Sequence, residues 1–411
     1  MSNALELGLV KTIYEEFGGN ISNEELYERV AAKAGISSDV LNQLSEVGEA
    51  KTRHSLVKRK IRWYQQALKM MGVIERVDRG VWKVVEPTKA GLHEADPDLC
   101  LLGFSTALGV GLWGDSRTAF SDGLGEPIHL VITSPPYPLQ RPRNYGNQPE
   151  RAWVDWLLEM LEPIVRQLAP GGSLVINLSN DIFQPNSPAR STYVERLTLA
   201  LQDDLKLYLM DRLPWINRSK APGPTKWACV ERVQLCVGWE PVLWFTNDPH
   251  RVFSDNRRVL EPHTSSHLRF LTQGNQRVTS YGDGAFQLRG DRSYARVTEG
   301  KIPKNIIERG HTCADTLQLR RHAKALGLPA HSAVFPTALP DQLIRFLTEP
   351  GQLVVDLFAG WFKVALAAER AGRRWICVEK VLEHVRVAME AFRGQPGYYA
   401  NPYFIRDQRG E

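Results

Sequence analysis

Apolar residues recur at two different periods along this 411-residue chain, and the change of period divides it. Up to about residue 90 the spacing is helical. Leu5, Leu9, Ile13 and Phe17 share one face, and Gly18-Gly19 ends that helix. Ser22 ahead of Asn23-Glu24-Glu25 is a capping-box start for a second helix reaching Ala34. A third helix is predicted from about Ser55 to Met71, with Val57, Ile61, Tyr64 and Leu68 on its apolar face. Residues 72–84 then read as two short strands around Asp78-Arg79-Gly80. Past a polar connector framed by Glu86-Pro87 and Asp96-Pro97, strands alternate with helices. The strands are Ile128–Thr133, Ser173–Leu178, Pro241–Thr246, Leu353–Phe358 and Trp375–Glu379, and the helices cover Trp153–Leu168, Thr192–Asp203, Pro340–Leu347 and Val364–Ala371. That alternation predicts a parallel α/β sheet with helices on both faces. Between Asn247 and about Lys304 the pattern fails, in a stretch rich in Arg, Gly, Ser, Asn and His that reads as an inserted, loop-rich region.

Composition narrows the picture. With 43% hydrophobic and 24% charged residues the chain is globular, and no run approaches the roughly 18–20 apolar residues of a membrane span. The polar start carries no signal-peptide core, so the expected location is the cytoplasm. Five scattered cysteines without a C-x-x-C pair indicate neither a disulfide framework nor a zinc ribbon. The net charge of +5 is unremarkable, but positions 51–83 hold ten cations against Glu75 and Asp78. Lys58, Arg59 and Lys60 open the third helix on its polar side. A cationic helix followed by a β-hairpin resembles a winged helix, whose basic helix lies in or beside a DNA groove. A protein-interaction or dimerisation module of the same shape is the alternative.

The most informative stretch is His129-Leu-Val-Ile-Thr-Ser134-Pro135-Pro136-Tyr137. An apolar strand ends in a rigid Pro-Pro turn that projects a Ser and a Tyr beyond its carboxyl end, where open α/β sheets place their ligand sites. In this setting the sequence resembles the DNA amino-methyltransferases, whose signature is (D/N/S)-P-P-(Y/F/W). The resemblance spans roughly residues 110–385. Trp113-Gly114-Asp115 looks like the element preceding the catalytic strand, and Leu168-Ala-Pro-Gly-Gly-Ser-Leu-Val-Ile-Asn177 like the family's L-x-P-G-G turn and strand. Phe335-Pro336 resembles the methionine-side element, Asp356-Leu-Phe358-Ala-Gly360 the F-x-G cofactor loop, and Glu379 the acidic end of the following strand. The catalytic half comes first and the cofactor loop last, which is the β-class order. Ser134, and the continuation Leu139–Asn147, look most like the cytosine-N4 branch.

The resemblance implies a Rossmann-like sheet over 98–411 that binds S-adenosylmethionine, an inserted target-recognition region at 247–305 and an N-terminal winged helix over 1–90. An exocyclic amine is a poor nucleophile because its lone pair is delocalised into the ring. Ser134 Oγ and the Pro135 carbonyl would accept its two N–H bonds and localise that pair in a preset geometry. Pro136 stiffens the turn, and Tyr137 would stack on the extruded base. On the cofactor side, backbone N–H groups at Gly360 would face the methionine carboxylate, and Glu379 would accept from the ribose hydroxyls. Phe335 and Pro336 would pack on the cofactor beside Asp356 and Phe358, with Asp115 near its adenine.

The sequence departs from the family at Trp361-Phe362-Lys363, where small or polar residues are usual. The aromatic pair is expected to face the interior, and Lys363 could neutralise the carboxylate. Arg141, Arg143 and Lys226 flank the catalytic motif as candidate DNA contacts, and further arginines lie in 247–305. His263 and His267, lacking an acidic third ligand, do not define a metal site. The expected partners are duplex DNA, a homodimer and a cognate restriction endonuclease, with no membrane. Two other readings stay open: the same chemistry on adenine N6, and a catalytically silent DNA-binding regulator with the cofactor loop blocked.

Overall fold

The computed structural model describes residues 5, 7–47, 52–70, 74–84, 92–138, 150–218, 226–273, 275, 279–280, 287–288, 298–331 and 334–405. The chain falls into two compact units, Met1–Gly91 with Ala221–Cys236, and Leu92–Lys220 with Val237–Glu411.

The first unit runs α1 (Leu7–Phe17), β1 (Ile21–Ser22), α2 (Asn23–Lys33), α3 (Ser38–Asn42), β2 (Leu44–Val47), β3 (Thr52–Ser55), α4 (Leu56–Met70), β4 (Ile74–Asp78) and β5 (Val81–Val84). Ser22 Oγ accepts from the Glu25 amide at 3.2 Å, capping α2 as the sequence requires. Strands β1, β5 and β4 form a small antiparallel sheet. The helices bury Val10, Tyr14, Leu26, Val30, Ile61 and Leu68 against Trp82 of that sheet. Asn23 Oδ1 accepts from Gln65 Nε2 at 3.0 Å and from Trp82 Nε1 at 3.1 Å, which ties α2, α4 and β5 together. Helix α3 and the β2–β3 hairpin are too short to register as a period in the sequence. Residues 226–230 of the same unit form a single π-helical turn.

The second unit begins with the hairpin β6 (Cys100–Ser105) and β7 (Gly109–Gly114), then α5 (Ser116–Phe120), β8 (Ile128–Thr133), α6 (Glu150–Val165), β9 (Leu168–Asn177), α7 (Tyr193–Asp203), β10 (Tyr208–Ile216) and β11 (Trp239–Thr246). After the irregular stretch, with α8 (Ser265–Thr272) and the short strands β12 (Thr279–Ser280), β13 (Gln287–Leu288) and β14 (Ile307–Glu308), come α9 (Ala314–Ala325), α10 (Ala338–Leu347), β15 (Leu353–Asp356), α11 (Lys363–Arg370), β16 (Arg374–Glu379), α12 (Leu382–Phe392) and β17 (Tyr399–Ala400). Ten strands make one sheet in the order β14-β10-β11-β9-β8-β15-β16-β7-β6-β17.

Five central strands, β9-β8-β15-β16-β7, are mutually parallel, as expected. The wholly parallel sheet inferred from sequence is corrected at its edges, where β10, β11, β6 and β17 add antiparallel pairs. Because side chains alternate across a strand, β8 and β15 serve two cores. Leu130, Ile132 and Val354 meet α10, α11 and α12 on one face. Val131 and Val355 meet α6 and α7 on the other. Both faces are therefore dry, which is why these strands read as continuous apolar runs. Gly171 (φ +85°) lies so close to the backbone of Arg251 that a Cβ would come within 1.9 Å of its carbonyl oxygen, so the L-x-P-G-G turn requires glycine there.

Candidate active site

The parallel arrangement brings the carboxyl ends of β8, β15, β16 and β7 to one edge of the sheet. At the end of β8, Ser134 Oγ lies 3.0 Å from the Tyr137 hydroxyl. That hydroxyl also accepts from Asn177 Nδ2 at 3.0 Å, and the Pro136 carbonyl accepts from Trp153 Nε1 at 2.7 Å. The Pro-Pro turn is thus braced by β9 on one side and α6 on the other. Thr133 pairs with Ile176, which places Asn177 beside Ser134 at the head of the neighbouring strand.

Next to β8, Asp356 ends β15 and is almost wholly buried, with its Oδ1 accepting from Thr133 Oγ1 at 2.8 Å and from the Phe358 amide at 3.1 Å. Burial pushes its carboxyl up to about 7, and Glu379 adds to the rise while the two hydrogen bonds oppose it. The unfolded group titrates near 3.8, so between there and about 7 the folded state holds a proton the unfolded state has lost. Stability from Asp356 is therefore full below about pH 4 and is lost as the pH rises through about 7. Asp356→Asn should flatten the fall in urea midpoint between pH 5 and pH 8 relative to the natural protein. Equal falls in both proteins would contradict this protonation.

Gly360, at φ +52°, turns the loop back toward β16, where its amide donates to Glu379 Oε2 at 2.6 Å. Glu379 Oε1 accepts from the Val381 amide at 2.9 Å and lies 3.3 Å from His384 Nδ1. Trp361 and Phe362 both point away from the loop's outer side. Trp361 packs among Leu319, Ala323, Val334 and Val387, and Phe362 enters the main core against Phe104. Lys363 also turns inward. Its ammonium donates to Thr316 Oγ1 and to the Phe335 carbonyl at 2.8 Å and lies 3.8 Å from Cys313 Sγ. The expected counter-charge for a carboxylate is instead a buried tie between α11 and the Phe335 segment. Burial lowers the Lys363 pKa. Burial alone would raise that of Cys313, but hydrogen bonds from Thr316 and Thr337, with the Lys363 charge, bring it down to about 7.

Asp115 caps α5 and pairs with Arg117, Nη2 to Oδ2 at 3.1 Å. Burial works against its ionisation, but the Arg117 hydrogen bonds and charge outweigh it and hold the carboxyl below the usual range. Ser116 Oγ donates to the Leu357 carbonyl, which joins this end of β7 to the loop after β15. Phe358 packs against Trp156, with ring centroids 5.6 Å apart, and Pro336 opens the turn into α10 by accepting from the Leu339 amide. Arg141 and Arg143 lie outside the described residues. Lys226 belongs to the first unit, its ammonium stacked on Trp227. Arg257 is committed to Asp255, and Arg258 to Glu349 and the Thr348 carbonyl. Among the described residues no group of His, Cys, Asp and Glu could hold a metal ion. Sequence reasoning assigned no role to Asn177, Thr133 or Trp153. The available signal was a polar residue at the very end of an apolar strand, in the case of Asn177 and Thr133.

A parallel core with turns at the carboxyl ends of four adjacent strands defines an open α/β fold whose ligand site is expected beyond those ends. Residues 128–390 match the model of the N6/N4 DNA methylase family, and residues 7–94 match that of the Mrr N-terminal domain. The type II methyltransferase M.PvuII of Proteus hauseri is 32% identical over 290 residues, which is 71% of this chain and 84% of that protein. M.BglI of Bacillus subtilis, also a type II methyltransferase, is 38% identical over 296 residues, 67% of this chain and 83% of the relative. The structure titled PvuII DNA methyltransferase (cytosine-N4-specific) superposes with a TM-score of 0.54 at 29% identity, covering 75% of this chain and 89% of that one. The chain belongs to the N6/N4 DNA methylase family. It is a type II DNA methyltransferase, and its cofactor is S-adenosylmethionine. The residues present are compatible with that group: an acidic residue ends the strand after the glycine turn, and both bulky aromatics are buried in the interior.

Proposed function

We propose that this enzyme methylates the exocyclic N4 of cytosine in duplex DNA, after the base is turned out of the stack. The carrying observation is Ser134 itself, a neutral acceptor held by Tyr137 at the head of the Pro-Pro turn, in a chain 32% identical to M.PvuII. The cofactor supplies an activated methyl group. The protein's part is to hold Ser134 Oγ and the Pro135 carbonyl against the amine, so that the nitrogen pair is localised when the methyl arrives. Tyr137 offers its ring face to the extruded base, which recovers part of the unstacking cost. Contrary to the sequence expectation, the Gly360 amide is committed to Glu379 and does not face the methionine carboxylate. Glu379, so held, would lie at the ribose side of the cofactor, Phe335 and Pro336 would flank it, and Lys363 holds the Phe335 segment in place. Burial of Trp361 and Phe362 favours this reading over that of a silent regulator. Long-read sequencing of DNA from cells expressing the protein tests it. Modified cytosines at one recurring short sequence are expected, whereas modified adenines would move the assignment to N6.

The first unit is read as a winged-helix DNA-binding module. Its helix–strand–helix–helix order, followed by a first hairpin, helix α4 and a closing β-hairpin, suits that role, and Arg59 and Lys60 are exposed on α4. Lys58 is partly committed to Glu24 at 3.0 Å. Neutralising Arg59, Lys60 and Arg62 together to glutamine should weaken DNA binding. It should also reduce the slope of log affinity against log salt by about one unit for each phosphate no longer neutralised. The modified sequence should stay the same, because base readout is assigned to 247–305. An unchanged salt slope would move the module to a protein-interaction role. A restriction endonuclease cutting the same site is the partner this function implies.

A further inference from the structure

At the strand end beside Ser134 lies a buried polar atom with no hydrogen-bond partner among the described residues. Asn177 is 3% exposed and ends β9 next to Ser134, since Thr133 and Ile176 are paired one residue earlier on their strands. Its Nδ2 donates to the Tyr137 hydroxyl at 3.0 Å and reaches Glu240 Oε2 at 3.4 Å. A carboxylate oxygen can only accept, so the orientation of the amide is fixed by that partner. Its Oδ1 is buried and has no hydrogen-bond partner among the described residues. Folded proteins satisfy nearly all buried acceptors, and an exception at the head of a strand that carries a ligand site points to a donor arriving with the ligand.

We propose that Asn177 Oδ1 is a third acceptor for the target amino group, acting with Ser134 Oγ and the Pro135 carbonyl. This rests on the reading of Ser134-Pro135-Pro136-Tyr137 as the motif that receives the base. An amino group brings two N–H donors into the pocket. Three acceptors placed around them share the hydrogens in bifurcated bonds and draw both out of the ring plane, which opposes delocalisation of the nitrogen pair. A keto group at the same ring position brings no donor and would meet the acceptor-only oxygens of Asn177 and Pro135, so Asn177 also sharpens selection of an amino-bearing base. Asn177 is then a catalytic residue, distinct from a residue that only steadies Tyr137.

A double-mutant cycle in the full-length protein separates those two roles. Asn177→Leu is expected to slow single-turnover methyl transfer by about 30-fold while S-adenosylhomocysteine affinity changes less than about twofold. In a Tyr137→Phe background, where no hydroxyl remains for Nδ2 to hold, Asn177→Leu should slow transfer by the same factor. Loss of the effect in that background would overturn the proposal and leave Asn177 as a positioning residue for Tyr137. If the leucine variant fails to bind S-adenosylhomocysteine, Asn177→Ser and Asn177→Ala carry the test. Serine restores an acceptor and should exceed alanine by about fivefold in rate, and equal rates would overturn the proposal. Full activity in Ser134→Ala would instead defeat the underlying reading of the motif, so the two failures are distinguishable.

Discussion

Ser134→Ala should slow methyl transfer by about 10²–10³-fold, the usual cost of removing one preorganised polar group at a reacting centre. S-adenosylhomocysteine affinity should stay within about twofold, because Ser134 stands at the end of β8 and the cofactor loop follows β15. The hydroxyl sits in a chain of hydrogen bonds, Asn177 Nδ2 to Tyr137 and Tyr137 to Ser134, each 3.0 Å long. Its removal leaves Tyr137 braced by Asn177, so the base can still enter while its amine has one acceptor fewer. The effect should therefore fall on kcat more than on KM. A near-natural rate in Ser134→Ala, by single-turnover assay on a cognate duplex, would contradict the assignment of the motif.

Phe362→Ala should destabilise the fold by about 3–5 kcal/mol, the range for deleting a fully buried aromatic ring. Phe362 has no exposed surface, and its ring lies 5.1 Å from that of Phe104. Its backbone adds a second effect. At φ +55° and ψ 36° it is left-handed, a conformation that costs about 1 kcal/mol in a non-glycine residue. Phe362→Gly should consequently be no worse than Phe362→Ala, although it removes one more methyl group. Urea denaturation of the three proteins checks both points. A loss below about 1 kcal/mol in Phe362→Ala would mean that the ring does not fill the core, and tighter S-adenosylhomocysteine binding in that variant would place it over the cofactor instead.

What the sequence disclosed follows from where its information is local. The strand Ile128–Thr133 is read with the bounds it has in the structure, because a short apolar run closed by Pro-Pro needs no distant partner to be recognised. The β6–β7 hairpin is not legible because its strands contain Gly103, Gly109, Gly111 and Gly114, which read as breaks. Tertiary packing demands at least one of them. A Cβ on Gly109 would come within 2.3 Å of the Trp375 ring and of its carbonyl oxygen. Strand β10 is hidden by Asp211, Arg212 and Pro214 within it, an edge-like composition that the pairing with β11 overrides. At the site, the motif and the order of its parts are legible, whereas the direction of Lys363 is not. A lysine after a glycine turn suggests an anion, but the partners that draw it inward, Thr316 and Phe335, lie 47 and 28 residues away in sequence. Asn177 is distant from Ser134 along the chain, and only the pairing of β9 with β8 brings the two side by side.

Transfer of a methyl group to cytosine N4, as we propose, leaves its record in the product nucleoside. The purified protein is incubated with duplex DNA and S-adenosylmethionine bearing a deuterated methyl group, and the DNA is digested to nucleosides for mass spectrometry. Label is expected in N4-methyl-2′-deoxycytidine and none above background in N6-methyl-2′-deoxyadenosine. Label in the adenine nucleoside, or in neither when the DNA carries many different sequences, would contradict the proposal.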